Sequence, residues 1–158
     1  MRKLLKKVFV GVLVLCALIQ VYRPPRTNPQ EDSVQTIFAD AVVWQDAPKS
    51  IERACIDCHT YRTRWPWYSQ IAPVSWLVAR DVREGREHMN LSDWAAYDTP
   101  QKMALLDDIC KEVKARAMPL PIYVPLHPEA KLSDAERAEI CAWAERARAR
   151  LSVRASEQ

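Results

Sequence analysis

Residues 55–59 read Cys55-Ile56-Asp57-Cys58-His59, which is the Cys-x-x-Cys-His pattern of covalent haem attachment. Two thiols three positions apart can each add to one of the two vinyl groups of a haem. The histidine that follows at once is placed to bind the iron as its proximal ligand. We therefore expect one covalent haem c, held by Cys55 and Cys58, with His59 on the iron.

Three alternatives to haem attachment could produce the same five residues. A redox Cys-x-x-Cys normally lies beside a βαβ pattern, which the sequence does not show. A zinc site would need a second pair of cysteines or histidines at finger-like spacing, and none follows. A chance match of five residues is the third, and the context in the rest of the chain argues against it.

The N-terminus has the character of an export signal. Basic residues precede an apolar run from Val8 to Val21, as in the n-region and h-region of signal peptides. No Ala-x-Ala-like cleavage site follows, so residues 1–22 are predicted to be an uncleaved signal anchor, a transmembrane helix with its N-terminus in the cytoplasm. This predicts a single-pass protein of a bacterial inner membrane with its domain in the periplasm. The alternative is a cleaved signal and a soluble periplasmic protein.

The formal net charge of +3 belongs to this N-terminal segment. Without Arg2, Lys3, Lys6 and Lys7, the 23 basic residues fall to 19, against 20 acidic ones. A near-neutral domain lacks the basic face that nucleic-acid binding requires, so we expect no nucleic-acid partner.

Composition favours an all-α fold. Only 2 glycines and as many as 11 prolines occur among 158 residues, and no stretch alternates apolar and polar residues for long. We expect a Pro-rich spacer over 23–31 that holds the domain off the membrane, a small helical domain like cytochrome c over 32–151, and a flexible tail over 152–158.

Amphipathic spacing predicts helices over 34–44, from 48 into the haem motif, and over 74–87, 99–117 and 133–151. Gly85 is expected to end or bend the third of these. Ser92 is expected to cap a short helical start before Trp94. Ser133 with Glu136 forms a capping-box pattern at the start of the last helix.

Aromatic and basic residues directly follow the haem motif. Trp65, Trp67 and Tyr68 are predicted either to wall the porphyrin or to pack in an ordinary core. Arg62 and Arg64 are predicted either to pair with the haem propionates or to lie solvated on the surface.

A distal ligand for the iron is expected in the proline-rich loop over 118–128. Met118 is the first choice, because the loop would hold its thioether at a fixed place. His127 is the runner-up and His88 the third, whereas Met103 is assigned to a helix core. Methionine–histidine ligation raises the reduction potential, which suits electron transfer.

The cysteine count predicts a disulfide bond. Of the 5 cysteines, one lies in the N-terminal apolar run and two in the haem motif. Cys110 and Cys141 remain, at inward positions of two late helices, and in an oxidising compartment we expect a disulfide between them. Two buried free thiols are the alternative.

These stretches together resemble the bacterial haem-binding domain family, small c-type cytochrome-like proteins with an N-terminal export or anchor segment. The resemblance runs from Val21 to about Arg146, with Leu91 at a position where we expect the family to carry phenylalanine. It is carried by Arg-Pro-Pro-Arg-Thr-Asn-Pro (23–29), Cys-Ile-Asp-Cys-His-Thr (55–60), Trp-Pro-Trp-Tyr-Ser (65–69) and Met-Pro-Leu-Pro-Ile-Tyr (118–123). The resemblance implies haem c on the motif and Met118 as distal ligand, and it implies no particular reaction.

We therefore expect a mono-haem c-type cytochrome that transfers single electrons to a redox partner protein, rather than an enzyme. The alternative is a haem-based peroxidase or a gas or redox sensor with a displaceable distal ligand. Because the chain has a single Cys-x-x-Cys-His, a two-haem peroxidase arrangement within it is excluded.

Overall fold

The computed structural model describes residues 1–157, and over this range the chain forms helices and turns without a β-strand. The predicted all-α class is confirmed. The α-helices are α1 (Arg2–Leu18), α2 (Ala41–Trp44), α3 (Ser50–Ala54), α4 (Ile56–His59), α5 (Val74–His88), α6 (Thr99–Lys114) and α7 (Asp134–Ser156). Short 3-10 turns occupy Ile37–Ala39, Trp67–Gln70, Leu91–Ala96, Val124–Leu126 and Pro128–Ala130.

Helices α6 and α7 form the main pair of the core. Each begins with a capping box, at Asp98 and at the predicted Ser133. The Cys110–Cys141 disulfide joins the two helices, with the two Cα atoms 4.6 Å apart, as predicted. The core between them and their neighbours consists of large buried apolar side chains, among them Leu106, Ile140 and Trp143.

Two buried tryptophans connect the short N-terminal elements to this core. Trp143 of α7 donates from Nε1 to the carbonyl of Val43 over 3.0 Å, so its polar atom is satisfied. Trp94 donates from Nε1 to the Asp40 carboxylate over 3.3 Å, and Lys102 donates to the same oxygen over 3.1 Å.

Asp40 also interrupts the helix predicted over 34–44. Its carboxylate accepts the backbone N–H groups of Val42 and Val43, over 3.2 and 3.3 Å. Because Asp40 is an N-cap, the predicted helix is divided into a 3-10 turn over Ile37–Ala39 and the helix α2, which begins at Ala41.

Several boundaries differ from the sequence prediction. Helix α5 continues through Gly85, and Asn90 rather than Ser92 caps the following turn. Helix α6 ends at Lys114, before the predicted 117, because Arg116 takes a left-handed φ of 59°. Helix α7 continues past the predicted end near Leu151 to Ser156, in the segment expected to be a tail, whose last residue, Gln158, lies outside the described range.

Helix α1 has no buried residue. Its 17 residues correspond to about 25 Å at the helical rise of 1.5 Å per residue, and basic residues occupy its start. Among the residues described, no helix is both long and apolar enough to cross a membrane. The predicted transmembrane helix is therefore not supported.

The Pro-rich segment over 23–31 lies along the domain instead of extending away from it. Asn28 donates to the carbonyl of Thr63 over 2.8 Å, and Arg86 of α5 donates to the carbonyl of Thr27 over 3.1 Å and to Asn28 Oδ1 over 2.9 Å. Glu31 pairs with Arg62 and accepts a hydrogen bond from Ser92. The segment is thereby fixed to the loop that follows the haem motif.

Candidate haem-binding site

His59 is buried, and its ring is oriented by the backbone. Nδ1 lies 2.9 Å from the carbonyl oxygen of Met89, which can only accept, so Nδ1 carries the proton and donates. That tautomer leaves the lone pair on Nε2, the form in which an imidazole binds a metal. Burial also lowers the pKa of His59 below its ordinary value, which keeps the ring neutral.

The two cysteines of the motif stand on one turn of backbone. Helix α3 ends at Ala54, and Cys55, whose φ of −122° is not helical, separates it from α4, which begins at Ile56. The N–H of His59 donates to the carbonyl of Cys55 over 3.0 Å, which closes the turn. Both thiols are free. Burial raises the pKa of Cys55 to about 12 and that of Cys58 to about 11, so both are protonated at neutral pH and do not resemble a redox dithiol, which acts as thiolate.

Gly85 allows α5 to pass directly over this turn. A Cβ atom at Gly85 would lie 3.0 Å from the carbonyl oxygen of Cys58 and 3.4 Å from its Cβ atom. Both neighbours belong to the motif itself, and one is backbone. A larger residue would push α5 or this turn apart by a few tenths of an ångström, so glycine favours the close packing here although it lies inside a helix.

Cys55, Cys58 and His59 line a cavity of about 490 Å³, which lies in the range of small-molecule and cofactor sites. One face of α5 forms a second wall, and the loop after α6 forms the third. Besides the motif, the lining includes Leu77, Arg80, Asp81, Glu84, Gly85, His88, Met118, Pro119, Leu120, Ile122 and Tyr123. Two free thiols, a neutral imidazole and a largely apolar surround fit a haem.

Met118 and His88 both share this cavity with His59. A smaller adjoining cavity of about 60 Å³ is lined by the same three residues and by Cys55. His88 is exposed, and its Nε2 lies 3.7 Å from Asp108 Oδ2. The next residue after Met118, Pro119, is buried, which fixes the backbone beside the thioether.

His127 lies elsewhere, in a neighbouring cavity of about 250 Å³ that Cys58 also lines. Its Nε2 pairs with the hydroxyl of Tyr68, and its Nδ1 lies 3.2 Å from the Glu129 carboxylate. Its ring stacks on Tyr123, with the ring centroids 3.9 Å apart and the planes 8° from parallel. Both ring nitrogens are thus engaged with groups of the loop and its surroundings.

Asp57, the second variable residue of the motif, ties the motif to this neighbouring cavity. It accepts hydrogen bonds from the Arg64 guanidinium and, over 3.0 Å, from the hydroxyl of Tyr123. Burial works against ionisation of Asp57, but the hydrogen bonds from Arg64 and Tyr123 outweigh it and hold its pKa below the ordinary value. Burial, reinforced by the Asp57 carboxylate, raises the pKa of Tyr123.

The structure brings together only some of the residues expected around the porphyrin. Tyr68 and Arg64 line the cavity of about 250 Å³. Trp67 is 76% exposed. Trp65 lines a different groove, between the Pro-rich segment and α5. Arg62 pairs with Glu31, and its guanidinium carbon lies 4.5 Å above the Phe38 ring.

Sequence reasoning placed Leu77, Arg80 and His88 toward the haem but missed Asp81 and Glu84 of the α5 wall and the role of Asp57. Leu77, Asp81, Gly85 and His88 follow one another at intervals of three or four residues, which is the spacing of one helix face. That spacing was available in the sequence. The contacts of Asp57 with Arg64 and Tyr123 were not, because nothing local links a motif residue to a tyrosine 66 positions later.

Within residues 1–157, no cluster of three or more His, Cys, Asp or Glu side chains is arranged to hold a metal ion.

Comparison with known proteins gives one family and one curated relative. A curated protein named cytochrome c peroxidase Ccp, from Escherichia coli (strain K12), is 35% identical over 101 residues, which cover 62% of this chain and 22% of that protein. The chain thus spans about a fifth of the length of this relative, and no solved structure matches. The family model for the haem-binding domain matches residues 14–146, which include the whole of the cavity described above. The chain belongs to the haem-binding domain family.

Proposed function

We propose that this protein is a mono-haem c-type cytochrome that carries single electrons. The observation that supports this best is the state of His59: buried, neutral, and with Nε2 freed for a metal by donation from Nδ1 to the Met89 carbonyl. A metal-binding histidine is usually oriented by such a hydrogen bond from its other nitrogen.

Cys55 and Cys58 are proposed to hold the group covalently, as thioethers. Both are free thiols at the wall of the cavity, one turn apart, and protonated. Bound there, haem would supply an iron that alternates between the ferric and ferrous states. The chain's own contribution is to bind it in a largely apolar cavity and to orient His59.

Met118 is the proposed distal ligand. It shares two adjoining cavities with His59, and its carbonyl accepts a hydrogen bond from Arg137 over 3.2 Å, which fixes the loop to α7. His88 shares the same cavities but lies exposed beside Asp108. His127, the alternative from sequence, has both ring nitrogens engaged in the neighbouring cavity.

The covalent attachment is tested by denaturation followed by acid-acetone extraction. Haem should stay with the polypeptide, because thioether bonds survive both treatments. The Cys55→Ala/Cys58→Ala variant should release its haem or contain none, whereas Cys16→Ala should behave like the wild type. Release of haem from the wild type would contradict a c-type attachment.

A second candidate function is reduction of peroxide, and it is favoured by the name of the E. coli relative. Peroxide reduction requires that the distal coordination position be open, or that Met118 dissociate from it readily. Binding of carbon monoxide to the reduced protein distinguishes the two functions. An electron carrier with a fixed distal ligand should not bind carbon monoxide, whereas a peroxidase or a gas sensor should bind it.

We further propose that the protein is exported to the periplasm and attached to the inner membrane through α1. The support is the basic start of α1, its apolar continuation, and the exposure of its apolar side chains, none of which is buried. A cleaved signal is the alternative.

A further inference from the structure

A set of exposed apolar side chains lies in and beside the lining of the 250 Å³ cavity, where Trp67 and Ile71 are in contact with the lining residue Tyr68. Trp67, Ile71, Val74 and Leu126 form this apolar rim, and their exposed fractions run from 41% to 76%. Val74 and Leu126 line the cavity together with Tyr68. Trp67 packs edge-on against Tyr68, with ring centroids 5.8 Å apart, and Tyr68 in turn packs against His127, next to Leu126.

The residues directly after α1, Gln20 and Tyr22, connect the helix to this rim. Gln20 donates from Nε2 to the carbonyl of Ala72 over 3.2 Å and accepts the N–H of Ala72 over 2.9 Å. Trp76 donates from Nε1 to the carbonyl of Tyr22 over 3.0 Å, and the two rings pack edge-on. Because Ala72 lies between Ile71 and Val74, the exposed apolar helix leaves the domain at the rim.

Basic side chains flank the same place. Arg26 donates to the carbonyl of Ser69, in the turn that begins with Trp67, and Arg23 donates to the carbonyl of Gln20 over 3.4 Å. Guanidinium groups bind phosphate, and tryptophan and tyrosine are enriched where a membrane meets water. Apolar, aromatic and cationic groups therefore meet around the exit of α1.

We propose that the domain rests on a phospholipid surface through this rim, with Trp67 and Leu126 at headgroup depth and Arg23 and Arg26 near the phosphates. The proposal rests on the membrane association through α1 proposed above. Lipid fits this face because the face is continuous with α1, which has no buried residue and ends at the rim. The mouth of the cavity that Cys58 lines would then face the headgroups.

The test uses the full, haem-loaded chain in vesicles of phosphatidylcholine and phosphatidylglycerol. A fraction of the lipid carries a diazirine on its acyl chain near the headgroup. After illumination, lipid adducts are mapped by peptide mass spectrometry. Adducts are expected on α1 and on the peptides that contain Trp67, Ile71 and Leu126, but not around Val34 or Val153, which are exposed apolar residues outside the rim.

Adducts on α1 alone would overturn the rim proposal and leave membrane association through α1 standing. Adducts nowhere would overturn both. Labelling around Val34 and Val153 as strong as at the rim would show an unspecific contact and also overturn the proposal.

A pair of variants gives an independent measurement. Ile71→Glu places a charge on the rim and should weaken vesicle binding of the full chain several-fold. Val153→Glu, an equivalent change at an exposed apolar position of α7, should leave binding as in the wild type. Equal binding of both variants would count against the rim.

Discussion

At the scale of single residues, the orientation of His59 depends on an acceptor that mutation cannot easily remove. The oxygen that fixes its tautomer is a main-chain carbonyl, that of Met89, directly after the end of α5. The geometry of the ligand therefore depends on where α5 ends, and changes in α5 are expected to act on the haem site.

The proposed distal ligand gives the first prediction. Met118→Ala should abolish the weak sulfur-to-iron absorption band at the red end of the oxidised spectrum, because the thioether would be lost. It should also lower the reduction potential and open the iron to carbon monoxide. These are measured by absorption spectroscopy and redox titration.

His127→Ala and His88→Ala are the matched controls, and both should keep the band. If His88→Ala or His127→Ala removed the low-spin spectrum while Met118→Ala left it unchanged, the distal ligand would be that histidine.

Gly85 gives the second prediction. Gly85→Ala should lower both the amount of covalent haem per chain and the free energy of unfolding, because the new Cβ would lie 3.0 Å from the Cys58 carbonyl oxygen. Alanine gains roughly 1 kcal/mol over glycine in helix propensity, but here the helix or the haem turn must move. The haem content is read from the spectrum of the purified protein, and the stability from denaturant titration.

The other glycine of the chain supplies the control. Gly11 lies in α1, and a Cβ there would meet nothing within 4 Å. Gly11→Ala should therefore keep full haem content. If Gly85→Ala were as stable as the wild type and contained as much haem, the distance between α5 and Cys58 would have to be larger than the 3.0 Å contact implies.

At the scale of elements, one arginine ties the haem turn to the last helix. Arg53, the penultimate residue of α3, donates to the carbonyls of Glu129 and Lys131 and to the carboxylate of Glu136 in the first turn of α7. The capping box of α7 thus also holds the residues that precede Cys55.

This contact gives a prediction of pH dependence. Hydrogen bonds from the backbone and side chain of Ser133, and then from Arg53, lower the pKa of Glu136 from 4.5 to about 2. A carboxyl whose pKa is lowered by folding stabilises the protein above its unfolded pKa, and loses this effect as the pH falls through its folded pKa. The stabilisation should be complete above pH 4.5 and fade between pH 4.5 and about 2.

The variant Glu136→Gln tests this pH dependence, because the amide keeps a hydrogen-bond acceptor for Ser133 and removes only the charge. The wild type should be more stable than the variant at neutral pH, and the two should converge towards pH 2, as measured by denaturant unfolding across the pH range. A difference that stayed constant with pH would show that the charge of Glu136 is not involved. Glu145→Gln, elsewhere on α7, serves as a control.

The elements that the sequence predicted well are those whose contacts lie within a few consecutive residues. The capping box of Ser133 and Glu136 is contained within four residues, and the haem motif within five, so both could be read locally. The break at Asp40 is only partly local: its N-cap bonds with Val42 and Val43 are, but the same carboxylate is also held by Trp94 and Lys102, more than fifty positions away. The partner of Arg62 could not be read locally either: Arg62 was predicted to pair with the propionates or to lie solvated, and it pairs with Glu31 of the Pro-rich segment.

At the scale of the whole molecule, the disulfide joins α6 to α7, the main helix pair of the core. The bridge closes a loop with a sequence separation of 31. Its pairing could be predicted because only two cysteines were left once the haem motif and Cys16 were assigned. The cavity could not be predicted as a shape, since its walls come from α4, α5 and the loop after α6.

The disulfide gives the fourth prediction. Cys110→Ser/Cys141→Ser should lower the free energy of unfolding by about 4 kcal/mol, the loop-closure value for a loop of this length. Denaturant titration with and without reductant measures it, and Cys16→Ser should have no effect. Two reactive thiols from positions 110 and 141 in the denatured, unreduced wild type would disprove the bridge.

The proposed export gives the fifth prediction. A reporter fused after Gln158 should be active only if it functions outside the cytoplasm, and the fusion should sediment with membranes. Replacing Arg2, Lys3, Lys6 and Lys7 by glutamine should weaken export, because the basic start of the segment directs its orientation. A soluble mature form that begins near Arg23 would favour signal cleavage, and an active cytoplasmic reporter would refute export.

The docking of the Pro-rich segment has a consequence for how electrons would be exchanged. Nine residues, if extended, could span about 30 Å, and a free tether of that length would let the domain search for its partners by swinging. Here Asn28 and Glu31 hold the segment against the domain, and Gln20 fixes the chain just before it. If the protein carries electrons as proposed, the domain would not swing on a tether, and a redox partner would have to diffuse to it.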